Sequence, residues 1–167
     1  VTNSLSSTVT VIDPATHEVI DTLDVGASPI GIVALPDASA VYVANSVDDT
    51  VSVIDTSDNT VDAETIAVGG TPYGLAVSPD GSTVYVTNEF DNSVSVIDTA
   101  TKTVTSTITA VGVGPQAIVV NPAGTLAYVA NQTDNTISIL DLSDNTVTEE
   151  TIALEANCFP RGLAMSH

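Results

Sequence analysis

Positive charge, cysteine and aromatic residues are all scarce in this chain of 167 residues. Lysine and arginine together number 2, against 21 acidic residues, which gives a formal net charge of −19. Such a surface repels phosphate groups, and nucleic-acid binding requires clustered lysine and arginine. No apolar run is long enough to cross a bilayer as a helix. We therefore expect neither a nucleic-acid partner nor insertion into a membrane.

The single cysteine, Cys158, excludes an internal disulfide. It precedes a predicted strand, where we expect a small, buried apolar residue. Together with the scattered His17 and His167 it supplies too few ligands for a zinc site. Aromatic residues make up only 4% of the chain, with no tryptophan, so the core must consist of aliphatic side chains. Valine and threonine dominate the sequence, and both favour β-strands.

A repeat of about 43 residues runs through the whole chain. In each copy an asparagine precedes an aspartate by ten residues, and a proline follows. The asparagine and aspartate positions are Asn3 and Asp13, Asn45 and Asp55, Asn88 and Asp98, and Asn131 and Asp141. The prolines are Pro29, Pro72, Pro115 and Pro160. A period of this length, with four strands in each unit, is typical of the blades of a β-propeller.

The repeat that starts at Pro72 shows the four strands. An apolar run over 73–78 is followed by a turn and a second strand over 83–87. Residues 94–98 alternate between apolar and polar, and a more polar fourth strand covers 103–111. The sequence predicts an all-β chain in which 1–167 form a single β-propeller domain of four antiparallel, four-stranded blades.

The run Tyr85-Val86-Thr87-Asn88, followed by the N-x-V-x-V-I-D and S-P-D-G patterns, resembles the YVTN-type β-propeller repeat family. The resemblance extends over almost the whole chain and includes the propellers of surface-layer proteins. It implies an extracellular or cell-surface location and a role in structure, adhesion or protein binding. Propellers of that family typically have about seven blades, whereas this chain has four repeats.

Residues 161–166 match the first strand of a repeat, and residues 1–25 supply the other three strands. We therefore expect the C-terminal strand to complete the N-terminal blade, which would remove an open sheet edge. Three arrangements remain: a closed ring of four blades, a portion of a larger propeller, and strand exchange between chains. The last would be self-association at the cell surface.

The repeated asparagines and aspartates are predicted to cap loops and turns. Asn131 also begins the sequence Asn-Gln-Thr, a possible glycosylation site. The acidic loops 47–49, 89–92 and 133–135 lack the ligand spacing of a calcium loop. We therefore expect no metal and no cofactor, although calcium in these loops stays possible.

The residues directly after the four prolines are expected to surround one mouth of the central channel, where propellers often bind ligands. They are Ile30, Tyr73, Gln116 and Arg161. No catalytic motif is present, so the favoured hypothesis is a non-enzymatic scaffold, and the chain is predicted not to be an enzyme. The alternative is a ligand-binding or enzymatic propeller that uses the channel mouth.

Overall fold

In the computed structural model, which describes residues 1–165, all regular secondary structure is β-strand. The strands are β1 (Thr2–Asn3), β2 (Thr8–Ile12), β3 (Val19–Asp24), β4 (Pro29–Ala34), β5 (Ala40–Asn45), β6 (Thr50–Asp55), β7 (Thr60–Val61), β8 (Ile66–Ala67), β9 (Pro72–Val77), β10 (Thr83–Asn88), β11 (Ser93–Asp98), β12 (Thr103–Ile108), β13 (Pro115–Val120), β14 (Leu126–Asn131), β15 (Thr136–Asp141) and β16 (Thr146–Ala153).

The strands form four antiparallel sheets, one for each repeat, which confirms the all-β prediction. The first sheet contains β1 to β3, and the third and fourth contain β9 to β12 and β13 to β16. The second contains β4 to β8, where β7 and β8 both pair with β6. Its outermost strand is therefore split in two by residues 62–65, which the sequence did not predict.

The repeated asparagine ends the second strand of each complete sheet. Asn88 is fully buried, and its Nδ2 donates to Ser93 Oγ and to Ser95 Oγ, both at 2.9 Å. Asn45 and Asn131 make equivalent bonds to hydroxyl groups on the next strand. These contacts confirm the structural role predicted for the asparagines, because each one joins the two central strands where they meet the loop.

The apolar core consists of three clusters, and each lies between two successive sheets. Val9 and Leu23 of the first sheet pack with Val43 and Ile54 of the second. Two further clusters lie between the second and third sheets and between the third and fourth. The two middle sheets are thus covered on both faces, so that five of the six residues of β11 are buried. Valine and isoleucine are the most frequent residues of the three clusters, and Tyr42 and Tyr85 are the aromatic residues buried among them.

The first strands of the second, third and fourth sheets, β4, β9 and β13, lie side by side at the inner edge of the molecule. Glycine permits this close approach. A Cβ atom at Gly31 would overlap with the carbonyl oxygen of Tyr73, and one at Gly74 would overlap with that of Gln116. In the next inner strand, Ala117 holds the equivalent position.

The predicted closure by the C-terminal strand is not observed. Residues 161–165 form no strand and do not pair with the first sheet, which keeps three strands; residue 166 lies outside the described part. Nothing lies within 4 Å of a Cβ built at Gly162, so residues 161–165 do not pack closely against a neighbouring strand as β4 and β9 do at Gly31 and Gly74. The four sheets therefore form an open array rather than a closed ring of four blades.

The burial predicted for Cys158 is also wrong, because this thiol is exposed. It lies between Asn157 and Phe159, whose φ angles are 65° and 46°, in a stretch that has no regular structure. Two positive φ values so close together interrupt the extended backbone that would have placed Cys158 inside a sheet. Within residues 1–165, no helix is long and apolar enough to cross a membrane.

Candidate functional site

One cavity lies against the inner strands, with a volume of about 310 Å³, and all four predicted channel-mouth residues line it. We call it the mouth cavity and define it by Ile30, Tyr73, Gln116 and Arg161. The first three are the second residues of β4, β9 and β13, and Arg161 follows Pro160 in the last repeat. Because the inner strands lie side by side, residues more than 40 positions apart in sequence converge on this cavity.

Gln116 is the most constrained of the four residues, with only 4% of its surface exposed. Its Nε2 donates to Glu89 Oε1 at 3.0 Å and to Gln132 Oε1 at 3.2 Å. Its Oε1 is buried and has no hydrogen-bond partner among the described residues. A buried acceptor without a partner costs about 1–3 kcal/mol, so a donor from a water or a ligand would stabilise this side chain.

The other polar groups of the mouth cavity differ in charge and exposure. Tyr73 is half-buried and contributes a phenol, whereas Arg161 is exposed and is the only arginine in the chain. A guanidinium group keeps its charge and offers several fixed donors to carboxylate or carbonyl oxygens. The cavity thus places a positive charge at one spot of a molecule whose net charge is −19.

The loops around the cavity are held by pairs of consecutive acidic or amide residues, which sequence reasoning did not identify. The first member of each pair accepts a backbone N–H from the segment just before the first strand of its own sheet: Asp48 from Ala27, Asp91 from Gly70 and Asp134 from Val113. The second member accepts one from the following repeat: Asp49 from Thr71, Asn92 from Gly114 and Asn135 from Phe159. The recurrence of these pairs at the repeat period was the signal that could have revealed them.

These bonds explain why the acidic loops are not arranged as calcium sites. The carboxylates of Asp48, Asp49, Asp91 and Asp134 all point to backbone N–H groups rather than toward one another. Over residues 1–165, no three His, Cys, Asp or Glu side chains are grouped so that they could hold a metal ion.

The repeated aspartates cap turns, as predicted, and they lie one in each repeat. Hydrogen bonds from the backbone N–H and hydroxyl of Thr101 lower the pKa of Asp98. Asp55 and Asp141 have lowered pKa values because a serine two residues later donates to each carboxylate. Such carboxylates are stabilised in the ionised form and are poor general bases.

Asn131 does not expose the possible glycosylation sequence on the surface. Its side chain is fully buried, and its Nδ2 donates to Thr136 Oγ1 at 3.0 Å and to Ser138 Oγ at 2.9 Å. The nitrogen that would carry a glycan is therefore inaccessible in the folded chain.

Comparison with known proteins identifies the family. Residues 32–167 match the family described as lactonase, 7-bladed β-propeller. No curated protein matches the sequence significantly. The chain is 28% identical to hydrazine synthase from Kuenenia stuttgartiensis, with a TM-score of 0.84 over 91% of this chain and 44% of that one. It is 18% identical to a functionally unknown protein from Desulfotomaculum acetoxidans, with a TM-score of 0.74 over 91% of this chain and 52% of that one.

The chain spans about half the length of these two solved structures. The names of the family and of the hydrazine synthase relate this propeller to enzymes, so the prediction that the chain is not an enzyme is wrong. The sequence argument failed because it required a recognisable catalytic motif, whereas one fold can carry many unrelated activities. With four fifths of its residues matched, the chain belongs to the lactonase family of seven-bladed β-propellers.

Proposed function

We propose that the mouth cavity binds a small substrate that carries a carbonyl or carboxylate oxygen, and that the chain is a portion of an enzyme-type propeller. The observation that carries this proposal is the convergence of Tyr73, Gln116 and Arg161 on one cavity of about 310 Å³. A volume near 300 Å³ with a few converging polar groups is typical of small-molecule sites. The family description supports an enzymatic role, since it names the family a lactonase.

The chemistry of a lactone fits the donors of this cavity. A lactone is a cyclic ester, and its hydrolysis places negative charge on the former carbonyl oxygen. Hydrogen-bond donors and a fixed cation stabilise such an oxyanion. Arg161 and Tyr73 are the residues with charged or phenolic donors that line the cavity. Arg161 is expected to contribute most, because its bonds to oxygen are charge-assisted.

The experiment is a calorimetric titration of the chain with δ-valerolactone and with its hydrolysis product, 5-hydroxyvalerate, followed by a pH-stat assay of lactone opening. We expect saturable binding that weakens about fivefold in Arg161→Gln and less in Tyr73→Phe, since a charge-assisted bond exceeds a neutral one by roughly 1 kcal/mol. The exposed Ile152→Ala, on β16 and away from the cavity, is the matched control. Saturable binding that Arg161→Gln leaves unchanged, or the absence of saturable binding by either compound, would refute this assignment.

We further propose that the four sheets belong to a larger, seven-bladed ring with YVTN-type repeats, located outside the cell or at its surface. The open array of sheets, the family description and the repeated Y-V-x-N text support the ring. The strongly acidic composition supports a surface exposed to salt.

The partners expected at the cell surface are other proteins or further copies of this chain. Light scattering over a range of concentrations tests self-association, and a constant monomer mass would contradict it.

A further inference from the structure

A second cavity, of about 290 Å³, lies between the loop that joins β10 to β11 and the segment that precedes β13. We call it the loop cleft and define it by Thr71, Glu89, Phe90, Asn92, Val113 and Thr133. It has no lining residue in common with the mouth cavity, although the hydrogen bond from Gln116 Nε2 to Glu89 Oε1 joins a residue of each. We propose that the loop cleft binds an organic cation, such as a substituted ammonium group, independently of the proposed lactone site.

An exposed aromatic ring forms one wall of the cleft. Phe90 is 79% exposed, and it belongs to none of the three core clusters. Its ring is therefore not needed for the core. Its ring lies beside Gly70, where an added Cβ would be 3.3 Å from Phe90 Cδ1. The backbone thus supports one part of the ring, and most of its surface stays open to solvent and to a ligand. The face of such a ring attracts cations because its quadrupole is negative there.

Several oxygen atoms of the cleft accept no hydrogen bond from the described residues. Glu89 accepts a hydrogen bond from Gln116 at Oε1, and no bond to its second oxygen is made by the described residues. The hydroxyls of Thr71 and Thr133 likewise make no side-chain hydrogen bond within residues 1–165. By contrast, Asn92 Oδ1 is occupied by the backbone N–H of Gly114 at 2.9 Å. One free carboxylate oxygen and two hydroxyls therefore surround the space beside the ring.

Charge decides which class of ligand this cleft accepts. Neither Lys102 nor Arg161, the only lysine and arginine of the chain, lines it, and Glu89 places a carboxylate in its wall. An anion would meet the field of a chain with net charge −19 and no compensating cation. A metal ion would find a single carboxylate, far short of the oxygen ligands that calcium needs. An organic cation would pair with the carboxylate of Glu89 and contact the face of the Phe90 ring.

The aromatic wall is specific to one repeat. The loop positions equivalent to Phe90 hold Leu5, Val47 and Thr133, none of which has a ring. The position equivalent to Glu89 holds Ser4, Ser46 and Gln132, none of which is charged. A carboxylate and an aromatic ring thus occur together only in the third repeat, so the cleft is not a by-product of the repeat pattern.

The test compares two ligands of the same shape, choline and 3,3-dimethyl-1-butanol, which differ in the charge of one atom. Titrations of the full chain are followed by NMR or calorimetry at low salt. We expect choline to bind saturably and more tightly than the neutral alcohol. Binding should weaken about two- to fivefold in Phe90→Leu, which removes the ring, and about fivefold or more in Glu89→Gln, which keeps the bond to Gln116 but removes the charge.

Val47→Ala, at the equivalent position of the preceding loop, is the matched control and should bind choline normally. All three altered residues lie in surface loops, so thermal unfolding should be close to that of the parent chain, which separates loss of binding from loss of fold. Equal binding of both ligands, no saturable binding of choline, or choline binding that neither Phe90→Leu nor Glu89→Gln weakens would each overturn the proposal.

Discussion

Gly74→Ala tests the close packing of the inner strands that builds the mouth cavity. An added Cβ at Gly74 would overlap with the carbonyl oxygen of Gln116, which belongs to the backbone of the next sheet and cannot rotate away. It would also come within 3.3 Å of Thr87 Oγ1. This hydroxyl joins the two strands, since it accepts from the Gly74 N–H at 2.9 Å and donates to the Gln116 carbonyl at 2.8 Å.

The cost has two parts. Overpacking of a tightly packed site costs about 1–3 kcal/mol, and loss of one hydrogen bond of the Thr87 bridge adds roughly 1 kcal/mol. We therefore expect Gly74→Ala to lower the free energy of unfolding by about 2–4 kcal/mol. For a chain of this size that corresponds to a fall in Tm of roughly 5–15 °C.

The repeat itself supplies the matched control. Gly162 holds the same repeat position as Gly74, but nothing lies within 4 Å of a Cβ built there. Chemical denaturation of both variants, monitored by circular dichroism, should therefore show a large loss for Gly74→Ala and almost none for Gly162→Ala. Equal effects of the two substitutions, or a change below about 0.5 kcal/mol for Gly74→Ala, would refute the packing of β9 against β13.

Three further predictions concern the core, the turns and the net charge. Val96→Asp should unfold the chain, because Val96 is 3% exposed and an unpaired buried charge costs several kcal/mol. Val19→Asp should be tolerated, because Val19 is 62% exposed. Circular dichroism checks both variants. Hydrogen bonds from Ser78 and Ser82 lower the pKa of Asp80 to about 2, so its stabilising effect is complete above about pH 4 and is lost as the pH falls toward 2. Asp80→Asn should flatten the acid-unfolding curve in that window, and an unchanged curve would contradict it. Added sodium chloride should raise Tm modestly by screening a net charge of −19, and a gain seen only with calcium would contradict this explanation and indicate a specific calcium site.

The sheets could be predicted well from the sequence, because the spacing of residues within a repeat reflects the pairing of neighbouring strands. The spacing from Asn88 to Asp98 fixes the length of one hairpin, and the structure pairs Asn88 with Ser93 and Thr83 with Asp98. The alternation along 94–98 correctly placed Val96 in the core. These features depend on neighbouring strands of one sheet, which the order of residues determines directly.

The closure of the array could not be predicted in the same way, because it depends on the packing between sheets. Glycine occurs at positions 31, 74 and 162, so the last repeat resembles the earlier ones in sequence. In the structure Gly31 and Gly74 lie against the backbone of the next inner strand, whereas nothing lies within 4 Å of a Cβ built at Gly162. The split in the outer strand of the second sheet could not be predicted either, since residues 60–67 closely resemble residues 146–153, which form one continuous strand.

The residues that line the mouth cavity could be predicted from the sequence, but their hydrogen bonds could not. The position after each proline indicated Ile30, Tyr73, Gln116 and Arg161, and all four line one cavity. The hydrogen bonds of Gln116 to Glu89 and Gln132 could not be foreseen, because they join side chains from different loops. The loop cleft could not be predicted for the same reason, because its walls come from four separate stretches of the chain.

The central claim is that the mouth cavity binds a small carbonyl compound, and mapping of the bound ligand tests it most directly. Backbone amide signals of the isotope-labelled chain would be followed by NMR during titration with δ-valerolactone. We predict saturable shifts for amides of residues 30–32, 73–75 and 116–118, which lie on the inner strands around the cavity. Shifts confined to the loop cleft or the outer strands, or no saturable shifts at all, would contradict the claim.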